Sequence, residues 1–238
     1  MRILRVVVIV AVVLGALFVG ADRWAVSYAE GRLAERIQAR QGLAGSTEVD
    51  IHGFPFLTQA LSHDLARVDL RLKGIEAVAD GRRTRLSELD ATFRGVKLNG
   101  DYSGGTARSA EGTVLITYKD LTEASQTGVT VTYGGAPGKV KVSATLDFLG
   151  RTLSRSVVST VTLEDAPGAP GGKLVRVRAD EVPGEGLPGI EKAVRKKTDF
   201  DRRIDSGLPA GLRLTTLTSD EAGVHVTLAG SDVVLAGS

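Results

Sequence analysis

Hydrophobic and polar residues alternate along most of the chain after residue 46. In residues 67–73, RVDLRLK, the side chains of Val68, Leu70 and Leu72 share one face and the charged side chains share the other. The same alternation recurs in ELDATF (88–93), VLITY (114–118), LVRVRA (174–179) and VHVTLAG (224–230). Successive side chains of a strand point to opposite faces, and one apolar face is typical of antiparallel sheets. The pattern predicts a long antiparallel sheet with one polar and one apolar face.

Two of the alternating segments are separated by a turn. Residues 129–148 read VTVTYGGAPGKVKVSATLDF, and the glycine and proline in the middle predict a β-hairpin. Val140 and Val142 of the second strand then lie on the apolar face, opposite Val131 and Tyr133 of the first.

Three helices are expected beside the strands. Residues 22–40 predict an amphipathic helix with one narrow apolar stripe, which needs a partner surface to be stable. Its apolar positions recur at steps of three and four: Val26, Ala29, Leu33 and Ile37. Two short helices are predicted at residues 120–125, with Asp120 as the cap, and at residues 189–197. Together they offer little surface to cover so many strands.

The N-terminus has the features of an export signal. Arg2 and Arg5 precede residues 6–21, VVVIVAVVLGALFVGA, which carry no charge. Positive charge ahead of an apolar segment places its start in the cytoplasm and the rest of the chain outside. The segment is shorter than the roughly 20 residues that span a bilayer. A cleaved signal peptide and an uncleaved anchor are both compatible with residues 1–21, and residues 22–238 are expected to form a single exported domain.

The composition excludes several classes of function. The chain has no cysteine, so thiolate metal sites, disulfides and a lipoprotein cysteine are excluded. The formal net charge is only +2 and the sequence has no basic patch with interleaved aromatics, so nucleic acid is not indicated as a partner. The histidines His52, His63 and His225 lack the paired spacing of a metal site, and His52 and His225 are expected on the polar face. No recognisable catalytic motif is present. We therefore expect no catalytic residue, no metal and no cofactor.

The apolar face of the predicted sheet must be covered by something. The sheet can fold on itself as a sandwich or barrel, or it can curl around the N-terminal helix and leave room for an apolar ligand. The inward positions are mostly Val, Leu and Ala with few aromatics, which favours a cavity. Burial of a dozen methylene groups, at about 0.8 kcal/mol each, contributes roughly 10 kcal/mol, so a groove of Val and Leu can hold one acyl chain.

Residues 51–61, IHGFPFLTQAL, place a phenylalanine on each side of a proline where a turn is expected. Pro55 favours an extended Phe54 and can begin a helical turn that LTQAL continues. Phe54 and Phe56 are expected either to fill the end of the sheet as core residues, or to line the mouth of a lipid groove or enter a membrane surface, where aromatics are favoured.

Several segments together resemble one family: IHGFPFLTQAL, RVDLRLKGI, LSELDATFRGVKL, EGTVLITYKDL, LPGI and the closing GLPAGLRLTTLTSDEAGVHVTLAGSDVVL. They are similar to the LmeA-like phospholipid-binding proteins of actinobacteria over essentially the whole chain, and GFPFLTQ at residues 53–59 is the most specific element. The resemblance implies an α+β, tubular lipid-binding-like fold, in which a curved, mostly antiparallel sheet wraps around the N-terminal helix.

The resemblance also implies a place and a ligand. The place is the cell envelope, at the outer face of the cytoplasmic membrane or in a periplasmic-like space, with the protein anchored or secreted. The ligands are phospholipids, phosphatidylinositol-type lipids among them, and the role is the maintenance of envelope lipids or mannosylated lipoglycans.

The leading hypothesis is a non-enzymatic module that binds or carries phospholipid and meets a membrane surface. Acyl chains are predicted to contact Phe54, Phe56, Leu57, Leu70, Leu72, Val140, Val142 and Val226. Head groups are predicted to meet basic residues from Arg82, Arg83, Arg85, Lys192, Arg195, Lys196 and Lys197. One alternative is a structural or interaction domain tethered to the membrane. Another is an envelope hydrolase, for which His63 and Asp64 are the first residues to consider.

Overall fold

The computed structural model describes residues 2–41, 45–79, 82–125, 128–148, 151–166, 173–181, 195, 199–203 and 208–235. The helices are α1 (Arg2–Gln41), α2 (Phe56–Leu61) and α3 (Tyr118–Glu123). The strands are β1 (Thr47–His52), β2 (Asp64–Ala79), β3 (Arg82–Leu98), β4 (Gly105–Thr117), β5 (Val129–Tyr133), β6 (Lys139–Phe148), β7 (Arg151–Asp165), β8 (Lys173–Ala179), β9 (Phe200–Arg203), β10 (Leu212–Ser219) and β11 (Gly223–Leu235).

The strands form two antiparallel sheets. The first sheet has six strands in the order β1-β2-β3-β4-β11-β10, and the second sheet has five in the order β5-β6-β7-β8-β9. The chain leaves the first sheet after β4 and returns to it with β10 and β11, and β11 pairs with β4 so that Gly223 lies opposite Thr117. Among the described strands neither sheet closes into a barrel. The predicted fold class, α+β with a curved, mostly antiparallel sheet and an N-terminal helix, is confirmed.

The predicted hairpin is confirmed as the start of the second sheet. β5 pairs with β6, and Val131 lies opposite Val142 and Tyr133 opposite Val140. Val140 and Val142 are both buried, since their faces turn toward the first sheet and share a hydrophobic cluster with Val226.

The apolar N-terminal segment and the predicted amphipathic helix form one continuous helix, α1. The described side chains from residue 6 to residue 21 are exposed, whereas Val26 is only 6% exposed and packs on the first sheet. The apolar stripe includes Ala29 and Ile37 as predicted, but Leu33 is exposed, so that part of the prediction is wrong. α1 is long and apolar enough to cross a membrane, a property that signal sequences share.

The two short helices were only partly predicted. α3 begins one residue after Thr117, whose side chain accepts a hydrogen bond from the Asp120 backbone N–H. Thr117 is therefore the cap, and the prediction that Asp120 caps this helix is wrong. Asp120 is buried in the first turn and accepts hydrogen bonds from the hydroxyls of Thr117 and Ser87. The helix predicted at residues 189–197 lies outside the described residues, apart from Arg195.

The inner, apolar face of the first sheet is covered by two different elements. α1 covers β1, β2 and β3 through a cluster that includes Val26, Val49 and Val68. The second sheet covers β4, β10 and β11 through a cluster that includes Val114, Val142 and Leu214. The alternatives of a helix-filled sheet and a sandwich are therefore both realised, each over one half of the same face.

The first sheet is irregular along one line across four strands. At Ala66, Gly95, Arg108 and Asp232, which lie opposite one another, the strand pairing is interrupted and the alternation of buried positions skips one residue. Gly95 and Asp232 have φ of +60° and +51°, in the left-handed region. Such irregularities increase the local twist and bend of a sheet, which suits the curvature of this one.

Candidate functional site

The segment GFPFLTQ, residues 53–59, lies at the end of the first sheet from which residues 6–21 of α1 project. α2 begins at Phe56, so the predicted helical turn is confirmed. Phe56 is 7% exposed and packs with Val26 of α1 in the core, whereas Phe54 is 60% exposed. The two phenylalanines of the segment therefore lie in different environments.

Gly53 and Gln59 fix the shape of this segment. Gly53 has φ of +116°, and a Cβ atom placed on it would lie 2.3 Å from Gln59 Nε2. The Gln59 amide spans the segment, because its Nε2 donates to the Pro55 carbonyl (3.4 Å) and its Oε1 accepts from the Ala66 backbone N–H (2.8 Å). The glycine and the glutamine of the segment thus each have a structural role.

A buried carboxylate joins the same segment to α1. Asp22 has no exposed surface, and its Oδ1 accepts a hydrogen bond from the Leu57 backbone N–H at 2.8 Å. Its Oδ2 accepts from the Arg23 guanidinium at 2.7 Å, and that guanidinium lies 5.4 Å from the centroid of the Phe54 ring. The contact of Asp22 with Leu57 was not predicted from the sequence. No neighbouring residue in the sequence signals it, because Leu57 lies 35 residues later in another element.

The inner face of the first sheet runs without a break from the half under α1 to the half under the second sheet. One row of neighbours across β2, β3, β4 and β11 consists of Leu70, Ala91, Gly112 and Leu228. The next row consists of Leu72, Leu89, Val114 and Val226. Leu72 contacts Ile37 near the end of α1, while Val114 and Val226 pack against the second sheet. We call these two rows the seam.

The side chains in the middle of the seam are small, so they rise little above the backbone of the sheet. Ala91 pairs with Gly112, and Ala110 pairs with Gly230 beside them. Ala91 is only half-buried, as are Leu70 and Leu89. Partly exposed apolar surface between two covering elements can contact a hydrocarbon chain.

The predicted acyl-chain residues divide into two groups. The first group lies in the seam or in the cluster that covers it: Leu70, Leu72, Val140, Val142 and Val226. The second group lies at the end of the sheet, beside Asp22: Phe54, Phe56 and Leu57. The structure brings the members of each group together but does not join the two groups into one surface.

Of the predicted head-group residues, only Arg195 has a described side chain. Its Nη1 donates to the Ala179 carbonyl at 3.5 Å and lies 3.7 Å from Asp199 Oδ2. Three others stand at the start of β3, with side chains outside the described part of the structure: Arg82, Arg83 and Arg85. Lys192, Lys196 and Lys197 lie outside the described residues.

The outer face of the first sheet forms an open trough of about 820 Å³ lined by charged side chains. Arg71 lies between Glu48 (3.0 Å) and Asp90 (2.9 Å), and Arg67 donates to Asp69 at 2.6 Å. This Arg67 hydrogen bond is the main reason that the pKa of the Asp69 carboxyl lies below its ordinary value. Because these charges pair with one another, the trough has the character of a solvated polar face.

The histidines make local contacts. His52 Nε2 lies 2.9 Å from Asp69 Oδ2, and His225 Nε2 also lies beside a carboxylate, both on the polar face as predicted. His63 stacks on Tyr102 with ring centroids 4.5 Å apart. Within the described part of the chain, no group of three or more His, Cys, Asp or Glu residues is placed to hold a metal ion.

A family model described as LmeA-like phospholipid-binding matches residues 20–229 of the 238-residue chain. The chain therefore belongs to the LmeA-like phospholipid-binding family. The matched range includes Asp22, the GFPFLTQ segment and both rows of the seam, and membership supports phospholipid binding as the function. No curated protein and no solved structure matches the chain.

Proposed function

We propose that this protein binds phospholipid by seating acyl chains along the seam, as a binding or carrying module without catalysis. The observation that carries the proposal is the half-buried apolar surface between α1 and the second sheet. The side chains of this surface are smallest at Ala91 and Gly112. A hydrocarbon chain there completes the cover of the inner face. Each methylene group that it buries contributes about 0.8 kcal/mol, so the seam needs no special polar contact to hold it.

The polar end of the lipid is assigned to basic residues beyond the seam. Arg85 precedes Leu89 of the seam by four positions on β3, about 13 Å along a strand. With Arg82 and Arg83 it forms the first candidate group for the phosphate, and the second group is Lys192, Arg195, Lys196 and Lys197. A guanidinium suits a lipid phosphate because it donates two parallel hydrogen bonds.

We assign residues 6–21 of α1 as a membrane anchor that is retained in the mature protein. The support is that α1 continues without interruption past residue 21 and that Asp22, the next residue, belongs to the core of the domain. With Arg2 and Arg5 ahead of the anchor, the domain is placed outside the cytoplasmic membrane. In that place it would handle envelope lipids, with phosphatidylinositol-type lipids as the first candidates and lipoglycan maintenance as the role.

The test is to identify lipid that co-purifies with the full-length protein. The protein is extracted in detergent, transferred to lipid-free detergent and analysed by native mass spectrometry, then offered phosphatidylinositol and phosphatidylcholine separately. We expect a bound phospholipid and a preference for phosphatidylinositol. Ala91→Trp puts a large side chain in the middle of the seam, where the side chains are small, and should lower lipid occupancy. The matched control is Thr113→Trp, since Thr113 is exposed on the outer face beside Gly112 and its substitution should leave occupancy unchanged.

Two results would overturn this proposal. A protein that carries no lipid and takes up none favours the alternative of a tethered interaction domain. Equal occupancy in Ala91→Trp and Thr113→Trp, with both variants folded by circular dichroism, would place the lipid somewhere other than the seam.

A further inference from the structure

The large exposed apolar side chains outside α1 are gathered at one end of the first sheet, within the part of the chain that the structure describes. They are Phe54, Leu61, Tyr102 and Val234, with exposed fractions of 60%, 79%, 48% and 47%. Single exposed apolar residues are ordinary on soluble proteins, but their collection at one end is not.

The pairing register puts these four residues at the same end. Lys97 pairs with both Asp64 and Thr106, and Thr106 pairs with Val234, so β2 begins where β3 ends, β4 begins and β11 ends. Leu61 ends α2 three residues before β2 begins, Tyr102 lies in the turn between β3 and β4, and Phe54 follows β1.

Contacts hold these segments together and join them to α1. The Tyr102 hydroxyl donates to the Ala60 carbonyl in α2 at 3.1 Å. At its other end α2 donates the Leu57 N–H to Asp22 of α1. Trp24, on the same turn of α1, is 71% exposed. We call Trp24, Phe54, Leu61, Tyr102 and Val234 the tip surface.

The tip surface lies at the level where the apolar part of α1 ends. Trp24 is three residues beyond Ala21, about 4.5 Å along a helix axis. The head-group layer on each side of a bilayer core is about 5–8 Å thick. Tryptophan and tyrosine concentrate in this layer because each combines an apolar ring with a polar group.

We propose that the tip surface inserts into the head-group layer of the membrane that α1 crosses. The domain then lies against the bilayer with this end of the first sheet facing the lipid. The inference rests on the proposed retention of α1 as an anchor. It commits to the lipid bilayer as the partner because the surface is covalently continuous with the membrane segment. A protein partner at this surface is left as an outcome of the test.

Asp22 acts in this arrangement as a positioning residue. It joins the end of the membrane segment to α2, and α2 carries Leu61 and contacts the Tyr102 turn. The angle between α1 and the domain is thereby set so that the tip surface faces the lipid. The same orientation turns the end of the first sheet toward the source of lipid molecules.

The test uses the single tryptophan of the chain, Trp24. Full-length protein is reconstituted in vesicles of phosphatidylcholine and phosphatidylglycerol, with bromine placed on the acyl chains close to the head groups, and fluorescence quenching is measured. Wild type reports on α1. Three variants in a Trp24→Phe background move the reporter: Phe54→Trp and Leu61→Trp at the tip surface, and Glu221→Trp at the opposite end. Glu221 is exposed in the turn between β10 and β11.

We expect quenching of Trp24, Phe54→Trp and Leu61→Trp, and none of Glu221→Trp. Adding Asp22→Ala should lower the quenching of the Leu61 reporter toward that of the Glu221 reporter, while Asp22→Asn, which keeps an acceptor for Leu57, should retain it. If Trp24 is quenched and both tip reporters are not, the docking inference is wrong, although α1 is still a membrane anchor. A protein partner for the tip surface is then the alternative. If Trp24 is not quenched either, the anchor fails with it. Lipid occupancy of the seam is measured separately and is unaffected by either result.

Discussion

The carboxylate of Asp22 and the backbone N–H of Leu57, 35 residues later in the chain, are joined by a 2.8 Å hydrogen bond. This one contact makes the end of the apolar segment part of the folded domain. It ties the first turn of α2 to the point where α1 leaves the domain, so the stability of the GFPFLTQ segment depends on a residue in a different element.

Substitution Asp22→Ala should lower the melting temperature by several degrees. It leaves the Leu57 N–H without its acceptor, and a buried amide in that state costs about 1–3 kcal/mol. Asp22→Asn keeps an acceptor oxygen and should have a smaller effect. Thermal unfolding followed by circular dichroism measures both, and equal melting temperatures for Asp22→Ala and wild type would contradict the contact.

The two phenylalanines of the GFPFLTQ segment should differ sharply in their contribution to stability. Phe56 is buried against Val26, so Phe56→Ala should cost about 3–5 kcal/mol in the free energy of unfolding. Phe54 is mostly exposed, so Phe54→Ala should change it by less than about 1 kcal/mol. Urea unfolding of each variant measures the difference. Similar losses in the two variants would mean that Phe54 is also a core residue.

The glycine of the segment should not tolerate a side chain. Gly53→Ala combines a positive φ with a Cβ placed 2.3 Å from Gln59 Nε2, so it should destabilise the fold by about 1–3 kcal/mol. Gly100→Ala is the matched control, because a Cβ on Gly100 meets nothing within 4 Å. If both variants unfold at the same urea concentration, the conformation assigned to Gly53 is incorrect.

The Asp69 carboxylate should contribute stability that is lost in acid. Its pKa is lowered, chiefly by the Arg67 hydrogen bond, so the folded state binds the proton less well than the unfolded state, whose value is about 3.9. The stabilisation is present above that value and disappears as the pH falls through the lower folded-state pKa. Asp69→Asn should therefore be less stable than wild type at neutral pH, with the gap closing in acid. A gap in melting temperature that is constant with pH would contradict this.

Much of the fold could be predicted because it follows from local patterns. Alternation places Val68, Leu70 and Leu72 on one face whatever else the chain does, and the glycines of residues 134–138 fix the β5–β6 hairpin within a few residues. The division into two sheets could not be predicted, because alternation is the same in both. Only the pairing of β4 with β11, between residues that are far apart in sequence, decides which strands belong together.

The candidate site was predictable to a lesser degree. The inward positions Leu70, Leu72 and Val226 follow from the strand pattern, but their meeting in one seam depends on where α1 ends and the second sheet begins. The role of Asp22 could not be read from neighbouring residues, because its partner Leu57 lies in another element. The exposed end formed by Phe54, Leu61 and Val234 likewise depends on the three-dimensional arrangement of separate turns.

The most direct measurement is to locate the bound acyl chain itself. A phosphatidylinositol with a photoreactive group near the end of one acyl chain is bound to the full-length protein and irradiated, and the labelled peptides are identified by mass spectrometry. We predict labels on the inner face of the first sheet, in the peptides that contain Leu70, Ala91 and Leu228. Labels confined to residues 6–24 and to the peptides that carry Phe54 and Leu61 would show that the lipid only surrounds the anchor, and would contradict binding in the seam.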